Sequence, residues 1–193
     1  MGTTSPKDII IHSVKEDDAL TLSKYIHIMK PNEYINEPQT FTALHICCCF
    51  GSRKCSELLM NEGWDVNYKE KQNGNSSLLL AIKYGHFDIV KLIFKNKFKV
   101  NCNSVNDLGL NALDMAIIYQ QVNIGVYLIN EKGFKINKSI SQYKTIMKDN
   151  DVFISKVFDM FYNEIVRGKQ QLTSITNEST LNDKSILLEE IKL

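Results

Sequence analysis

The residues best suited to catalysis or metal binding are four histidines and five cysteines. They are His12, His27, His45, His86, Cys47, Cys48, Cys49, Cys55 and Cys102. No two histidines share a helix face at the spacing of metal ligands, and no C-x-x-C pair opens a zinc site. The sequence therefore predicts no metal site and no cofactor.

Enzymatic chemistry would need a nucleophile beside a base, or a glycine-rich loop that holds phosphate. The chain has neither a nucleophile elbow nor such a loop. Its adjacent carboxylates, Glu16–Asp17 and Glu189–Glu190, point to different sides of a helix and are typical of solvated charges. We predict that the protein is not an enzyme and has no catalytic residues.

The helices that carry these side chains follow a repeating pattern. Each unit opens on a small or polar residue, continues with two apolar helical stretches separated by a turn, and closes on asparagine. The openings at Thr42, Ser76 and Asn111 are 34 and 35 residues apart (76 − 42 and 111 − 76). One helical hairpin of this size cannot bury its apolar face alone, so the period predicts stacked units.

These motifs resemble the ankyrin repeat family. The family's T-P-L-H opening is similar to Thr42–His45, its Gly-His turn to Gly85–His86, and its Gly-Ala-Asp-Val-Asn ending to Gly63–Asn67. The third of these units differs, with Asp114 in place of histidine and Gln120–Gln121 in place of Gly-His, and we expect looser turns there. The resemblance implies that the histidine of the first opening bonds to neighbouring backbone and fixes the adjacent hairpin.

The fold that this resemblance implies is an all-α ankyrin-repeat solenoid of about five helix–turn–helix units, with short β-hairpin fingers between them. The first and last units are degenerate. We predict a flexible leader over residues 1–7, the repeat domain over 8–167, and a C-terminal tail with a short amphipathic segment over 168–193. The units cover approximately residues 8–36, 37–67, 68–101, 102–137 and 138–167.

Composition excludes several partners. The formal net charge is +1, and the cluster of Lys95, Lys97 and Lys99 does not continue across the repeats, so nucleic acid is an unlikely partner. No apolar run reaches membrane-spanning length, so we expect no membrane insertion. Cys47 and Cys48 take positions where the family has buried alanines, and we interpret the cysteines as packing residues of a reduced, cytoplasmic protein.

The residues just before each inter-helix turn are candidates for partner binding. By the resemblance, these positions face a concave groove, and three of them are aromatic. Rigid aromatic side chains are good interface anchors, although a ring at this place can equally serve only to shield the turn. The predicted contacts are Phe50, Lys83, Tyr84, Ile118 and Tyr119 on helices, with Tyr68, Lys69, Asn75, Leu108 and Leu110 on the fingers.

A second recurrence places Trp64, Phe98 and Phe134 where the family prefers alanine. We interpret these rings as a structural ladder that closes the loop edge, and the alternative is a second binding face.

The predicted function is non-catalytic protein–protein interaction, as an adaptor or scaffold that binds a partner through the groove and fingers. The alternative is a structural subunit of a large assembly, docked through the apolar helix near Ile154–Ile165 and the tail. The apolar segment Ser185–Leu193 either folds back on the last repeat or joins that helix in binding a partner. We expect a monomer or a subunit of a hetero-assembly.

Overall fold

The structure, a computed structural model, describes residues 5–35, 38, 40–95, 98–138, 142, 143, 145, 159, 160 and 163. Its helices are α1 Pro6–Lys15, α2 Ala19–Tyr25, α3 Ala43–Phe50, α4 Arg53–Asn61, α5 Ser77–Lys83, α6 Phe87–Ile93, α7 Ala112–Ile118 and α8 Val122–Lys132, with a 3-10 turn at Ile26–Ile28. The predicted apolar end helix, apart from a few of its residues, and the predicted tail lie outside the described residues.

The β-hairpin fingers are not confirmed. In the described connectors, β pairing consists of two isolated antiparallel bridges, Tyr34 with Thr42 and Lys69 with Ser76. In the connector between Lys69 and Ser76, the Glu70 side chain accepts hydrogen bonds from the N–H groups of Gln72, Asn73 and Asn75.

Four helix pairs are joined by the same tight turn. Its central residue has positive φ in every case: Asp17 at 55°, Gly51 at 79°, Gly85 at 77° and Gln120 at 57°. In each turn, the N–H of the residue after this central residue donates to the carbonyl five residues before it, at 2.8–3.0 Å, as in a Schellman motif. The hydrogen bond from the Gln121 N–H to the Ala116 carbonyl is 2.8 Å long, so our expectation of a looser turn there is wrong. The backbone geometry of this turn recurs without requiring glycine.

The chain divides into two compact units, residues 1–112 and 113–193. In the first unit, α3 packs against α1, α4 and α5, α1 against α2, α5 against α6, and α4 against α2 and α6. The largest fully buried side chains there are Ile10, Leu22, Leu44, Leu59, Leu79, Leu80, Ile82, Ile89, Leu92 and Ile93. Burial of one such side chain contributes about 1.5–3 kcal/mol, so stacked pairs are stable where a single pair is not.

Three cysteines belong to this core. Cys47, Cys48 and Cys55 are fully buried, and all five cysteines of the chain are free thiols. Burial raises the pKa of the Cys47 thiol well above its usual range, with the neighbouring Cys55 acting in the same direction. Burial also raises the pKa of Cys48. Cys47 and Cys48 therefore stay protonated, and the three buried side chains pack as small apolar groups.

The N-terminal helix begins inside the predicted leader. Ser5 Oγ accepts a hydrogen bond from the Asp8 N–H, and the Asp8 carboxylate accepts one from the Ser5 N–H, both at 3.2 Å. Pro6 occupies the first helical position, where its fixed φ is favourable and its missing N–H costs nothing. Residues 6 and 7 are therefore helical.

In the second unit, α7 and α8 bury Leu113, Ala116, Ile117, Ile124 and Leu128. The helix α8 ends at Gly133, whose φ of 69° terminates it in the left-handed conformation.

Candidate binding surface

The first opening is fixed by a reciprocal pair of hydrogen bonds. Thr42 Oγ1 accepts from the His45 N–H at 3.3 Å, and His45 Nδ1 accepts from the Thr42 N–H at 3.2 Å. Because Nδ1 accepts, the ring proton lies on Nε2, which donates to the Tyr68 carbonyl at 2.9 Å. Burial lowers the pKa of His45, and the Tyr68 carbonyl acts in the opposite direction. The neutral ring thus holds the next connector, as the resemblance implied.

Tyr68 is positioned by aromatic contacts as well. Its ring centroid lies 6.4 Å from that of His45 and 5.5 Å from that of Tyr34. The Tyr34 hydroxyl donates to the Lys69 carbonyl at 3.0 Å, and Lys71 Nζ lies 4.1 Å from the Tyr34 ring centroid. Burial, together with Tyr68, raises the pKa of Tyr34 to about 12. The half-buried Tyr68 therefore belongs to a fixed aromatic cluster at the base of the connector.

A buried carboxylate organises the connector between α4 and α5. Glu70 accepts hydrogen bonds from the backbone N–H groups of Gln72, Asn73 and Asn75. Glu70 Oε1 also accepts from Asn75 Nδ2 at 2.8 Å. Several donors satisfy the charge, so it can be buried. Asn75 is only 3% exposed, which corrects our prediction that it is a finger contact.

In the connector between α6 and α7, the side-chain amide of Asn106 collects backbone N–H groups as Glu70 does in the connector before it. Asn106 Nδ2 donates to Asn75 Oδ1 at 3.0 Å, while Asn106 Oδ1 accepts from the N–H groups of Leu108 and Leu110 at 3.1 and 3.0 Å. The turn leaves Leu108 69% exposed and Leu110 3% exposed. Leu108 stays a candidate contact, whereas burial removes Leu110 from the predicted surface.

Backbone bonds tie successive connectors together in the first unit. The Lys71 N–H donates to the Thr40 carbonyl at 3.2 Å, and the Asp107 N–H donates to the Asn73 carbonyl at 2.9 Å. The exposed Lys69 extends its ammonium to the Val105 carbonyl at 2.6 Å. The connectors are therefore joined by hydrogen bonds, and Lys69 takes part in joining them.

The exposed aromatic side chains of the first unit lie at the ends of α3 and α5. Phe50 is 55% exposed and Tyr84 is 48% exposed. Lys15 Nζ lies 5.3 Å from the Phe50 ring centroid, and Lys83 Nζ lies 5.4 Å from that of Tyr84. We call these four residues the ring surface. It presents two apolar rings, each with an ammonium group at its side.

The half-buried Cys49 adjoins Phe50 on the ring surface. Burial raises the pKa of its thiol to about 12, although the positive charge of Lys83 acts in the opposite direction. The thiol is therefore neutral.

Ile118 and Tyr119 take the equivalent positions at the end of α7 in the second unit. Tyr119 is exposed and Ile118 is half-buried.

Three further hydrogen bonds connect successive repeats of the first unit. His86 Nε2 bonds to the Cys49 carbonyl at 3.0 Å, so this histidine is structural. Asn67 Nδ2 donates to the Lys99 carbonyl at 3.1 Å, and Asn67 Oδ1 accepts from the Asn101 N–H at 2.7 Å.

Two of the three rings of the predicted ladder lie in the first unit. Trp64 is buried and Phe98 is half-buried, as expected of packing residues. Phe134, in the second unit, is also half-buried.

The opening of α7 has a buried acid in the place of histidine. Asp114 Oδ2 accepts from Lys138 Nζ at 2.6 Å, and Asp114 Oδ1 accepts from the Tyr143 hydroxyl at 2.5 Å. Burial raises the pKa of Tyr143, and the hydrogen bond to Asp114 acts in the same direction. The tyrosine thus stays a hydrogen-bond donor.

Sites of other kinds are not apparent in the described part of the chain. No group of three or more histidine, cysteine or acidic side chains in it is arranged to hold a metal ion. None of the helices found there has the length and apolar character needed to cross a membrane.

Paired helices that share a recurring turn, with connectors joined by hydrogen bonds, define a helical repeat protein. The particular repeat is ankyrin: residues 10–104 match the family model described as ankyrin repeats (3 copies), and this region belongs to the ankyrin repeat family. The match confirms the resemblance and the fold class. Ankyrin repeats are generally non-catalytic modules that bind other proteins. A comparison with curated proteins finds no match.

Proposed function

We propose that the protein is an adaptor or scaffold that binds a protein partner through the ring surface and the exposed parts of the connectors. The observation that carries this proposal is the exposure of Phe50 and Tyr84 on helix ends whose turns are fixed by backbone bonds. Aromatic rings bury a large area on binding and lose few rotameric states.

The fixed surroundings of these rings favour binding. Stacked helices and cross-bonded connectors already hold the surface in one arrangement, so little conformational entropy is lost on docking. Leu108 adds an exposed apolar contact, and Tyr68 and Lys69 contribute a polar edge. We include Ile118 and Tyr119 because they occupy the equivalent positions in their own unit.

The test compares two double variants in affinity purification from the native cell. Phe50→Ala/Tyr84→Ala removes the rings, and Leu20→Ala/Ile28→Ala removes two other exposed apolar side chains of the first unit as a matched control. Circular dichroism verifies that both variants fold. We expect a partner to be lost only from the first variant. Partners retained by both variants would overturn the proposed surface.

A second candidate, a structural subunit of a large assembly, draws on Met160. This residue of the predicted end helix has an exposed side chain. A large apolar side chain in water favours association when it belongs to a wider patch. Sedimentation of the purified chain distinguishes the candidates: self-association or assembly that Met160→Asp abolishes favours the subunit, and a monomer favours the adaptor.

The proposal also assigns the protein to a reducing, cytoplasmic compartment. Its support is the free state of all five cysteines, among which Cys102 is exposed.

A further inference from the structure

The ring surface contains two lysines, Lys15 beside Phe50 and Lys83 beside Tyr84. Lys15 ends α1 and Lys83 ends α5, and both of these helices pack against α3, which carries Phe50. The ammonium of Lys15 is within cation–π distance of Phe50, across a repeat boundary. Each exposed ring is thus paired with a positive charge that a bound chain would meet together with the ring.

The acidic side chains near Lys15 are largely directed elsewhere. Asp17 Oδ1 accepts from the Cys55 N–H of α4 at 2.9 Å, and Asp18 Oδ1 accepts from the Thr21 N–H of α2 at 3.0 Å. Both carboxylates therefore serve helix N-termini, where the helix dipole favours a negative charge. Glu70, whose charge also reaches Cys49, is buried and bonded to its own connector. Glu16, which follows Lys15, is exposed, and so is Asp18.

We propose that the partner binds as an acidic peptide segment, in which apolar side chains pack on Phe50 and on Tyr84 while neighbouring carboxylates pair with Lys15 and Lys83. This inference rests on the proposed function and gives the chemistry of its ligand. A carboxylate beside a lysine that already lies on a ring gains more than it would in open water, because the ring excludes part of the solvent. Such charge pairs mainly determine specificity and association rate.

The experiment selects ligands from random sequences. A random peptide library displayed on phage is panned on the full chain, and the selected peptides are synthesised. Their affinities are measured for wild type, for Lys15→Glu/Lys83→Glu, and for Lys54→Glu/Lys91→Glu. The last variant makes the same change of net charge on exposed lysines of α4 and α6. Phe50→Ala/Tyr84→Ala is measured as well.

We expect peptides enriched in Asp and Glu next to Leu, Phe or Tyr. Their affinity should fall about tenfold or more in Lys15→Glu/Lys83→Glu, which corresponds to about 1.4 kcal/mol, and about twofold or less in the control. Raising the salt concentration should weaken binding to wild type, because screening reduces the attraction of exposed charges.

The remaining outcomes separate the two proposals. Peptides that need Phe50 and Tyr84 but are not acidic, or do not respond to Lys15→Glu/Lys83→Glu, overturn this inference and leave the proposed function. A selection without peptides that need the two rings overturns both. A consensus that reproduces Leu187–Glu190 assigns the surface to the chain's own tail, which overturns a separate partner.

Discussion

The openings of α3 and α7 carry different side chains at the same position of the repeat, a histidine in α3 and an acid in α7. His45 is neutral and bonds to backbone groups, one of which lies 23 residues further on. Asp114 is an acid that bonds to two side chains, Lys138 and Tyr143, which lie 24 and 29 residues further on. At both openings the residue is buried and holds the following segment, whether it is a neutral histidine or an acid.

The opening of α5 sharpens this comparison. Its equivalent residue, Leu79, is buried and apolar (45 + 34 = 79). The connector that follows α6 is held instead by Asn106, which bonds to Asn75 of the preceding connector. An apolar residue at the opening is therefore compatible with the fold when another polar group takes over the connector.

The largest effect is expected at the buried acid Asp114. Asp114→Ala removes the acceptor of the Lys138 ammonium and of the Tyr143 hydroxyl, and breaking this ion pair should lower the free energy of unfolding by about 3–5 kcal/mol. Urea denaturation measures this change in the free energy of unfolding. Asp114→Asn, which keeps the shape and one acceptor, is the control and should cost less. A loss below about 1 kcal/mol in Asp114→Ala would show that the two partners find water or other groups.

His45→Leu should cost less than Asp114→Ala, since it leaves only neutral groups unpaired. The Thr42 N–H and the Tyr68 carbonyl lose their partner, which costs about 1–3 kcal/mol. Leu79 shows that leucine fits the equivalent position. The same denaturation experiment compares the variants directly. A cost for His45→Leu equal to that for Asp114→Ala would mean that the charge of the acid is irrelevant.

The stability of the protein should depend on pH through His45. Because its pKa is lowered in the folded state, the unfolded chain binds more protons between the two values. The contribution of His45 to the free energy of unfolding is therefore fully present above the ordinary histidine pKa of about 6.5, and it decreases as the pH falls below that value. Denaturation midpoints measured across this range should show the fall in wild type. His45→Leu should flatten the histidine-dependent part, and an unchanged slope would contradict the assignment.

The turns allow a narrower comparison between two glycines with positive φ, Gly51 and Gly63. A Cβ on Gly51 would lie 2.7 Å from atoms of the His86 ring, whereas a Cβ on Gly63 would meet no atom within 4 Å. Alanine at either place suffers left-handed strain of about 1–2 kcal/mol. Gly51→Ala should cost about 1 kcal/mol more, because the ring must shift from the Cys49 carbonyl. Equal costs would show that the ring adjusts freely.

The smallest effect is expected at Gln120, which adopts positive φ where the turns of α3 and α5 have glycine. Gln120→Gly relieves the strain of the side chain but increases the entropy of the unfolded chain. We expect a net stabilisation of about 0.5 kcal/mol, measured as a rise in the denaturation midpoint. Gln121→Gly, at the next position, is the control and should not stabilise. A loss of stability in Gln120→Gly would show that the glutamine side chain contributes contacts.

The sequence was sufficient for the features that depend on neighbours along the chain. The apolar faces of α3–α6 follow from residues within one unit, since helical periodicity and turn chemistry are local. The family follows from the recurrence of such units at a fixed period. The packing role of Cys47 and Cys48 followed in the same way. Among the turns, the looser geometry expected at Gln120 was wrong, because backbone bonds fix its conformation without glycine.

Tertiary structure decided which connector residues are available to a partner. Asn75 and Leu108 are both connector residues in the sequence, yet one is bonded into the interior and the other is exposed. The difference comes from Glu70 and Asn106, whose side chains collect the N–H groups of the connectors. The asparagines and glycines of these connectors predicted turns, but they carried no signal for the buried acceptor.

The same limit applies to the partners of Asp114. The sequence placed an acid at the histidine position, and the structure shows that this acid is buried. The choice of Lys138 and Tyr143 as its partners was decided by folding, because they follow at distances along the chain that no local pattern constrains. A periodic sequence determines its helices and turns by short-range sterics and apolar spacing, whereas the pairing of buried polar groups is settled only when separate segments come into contact.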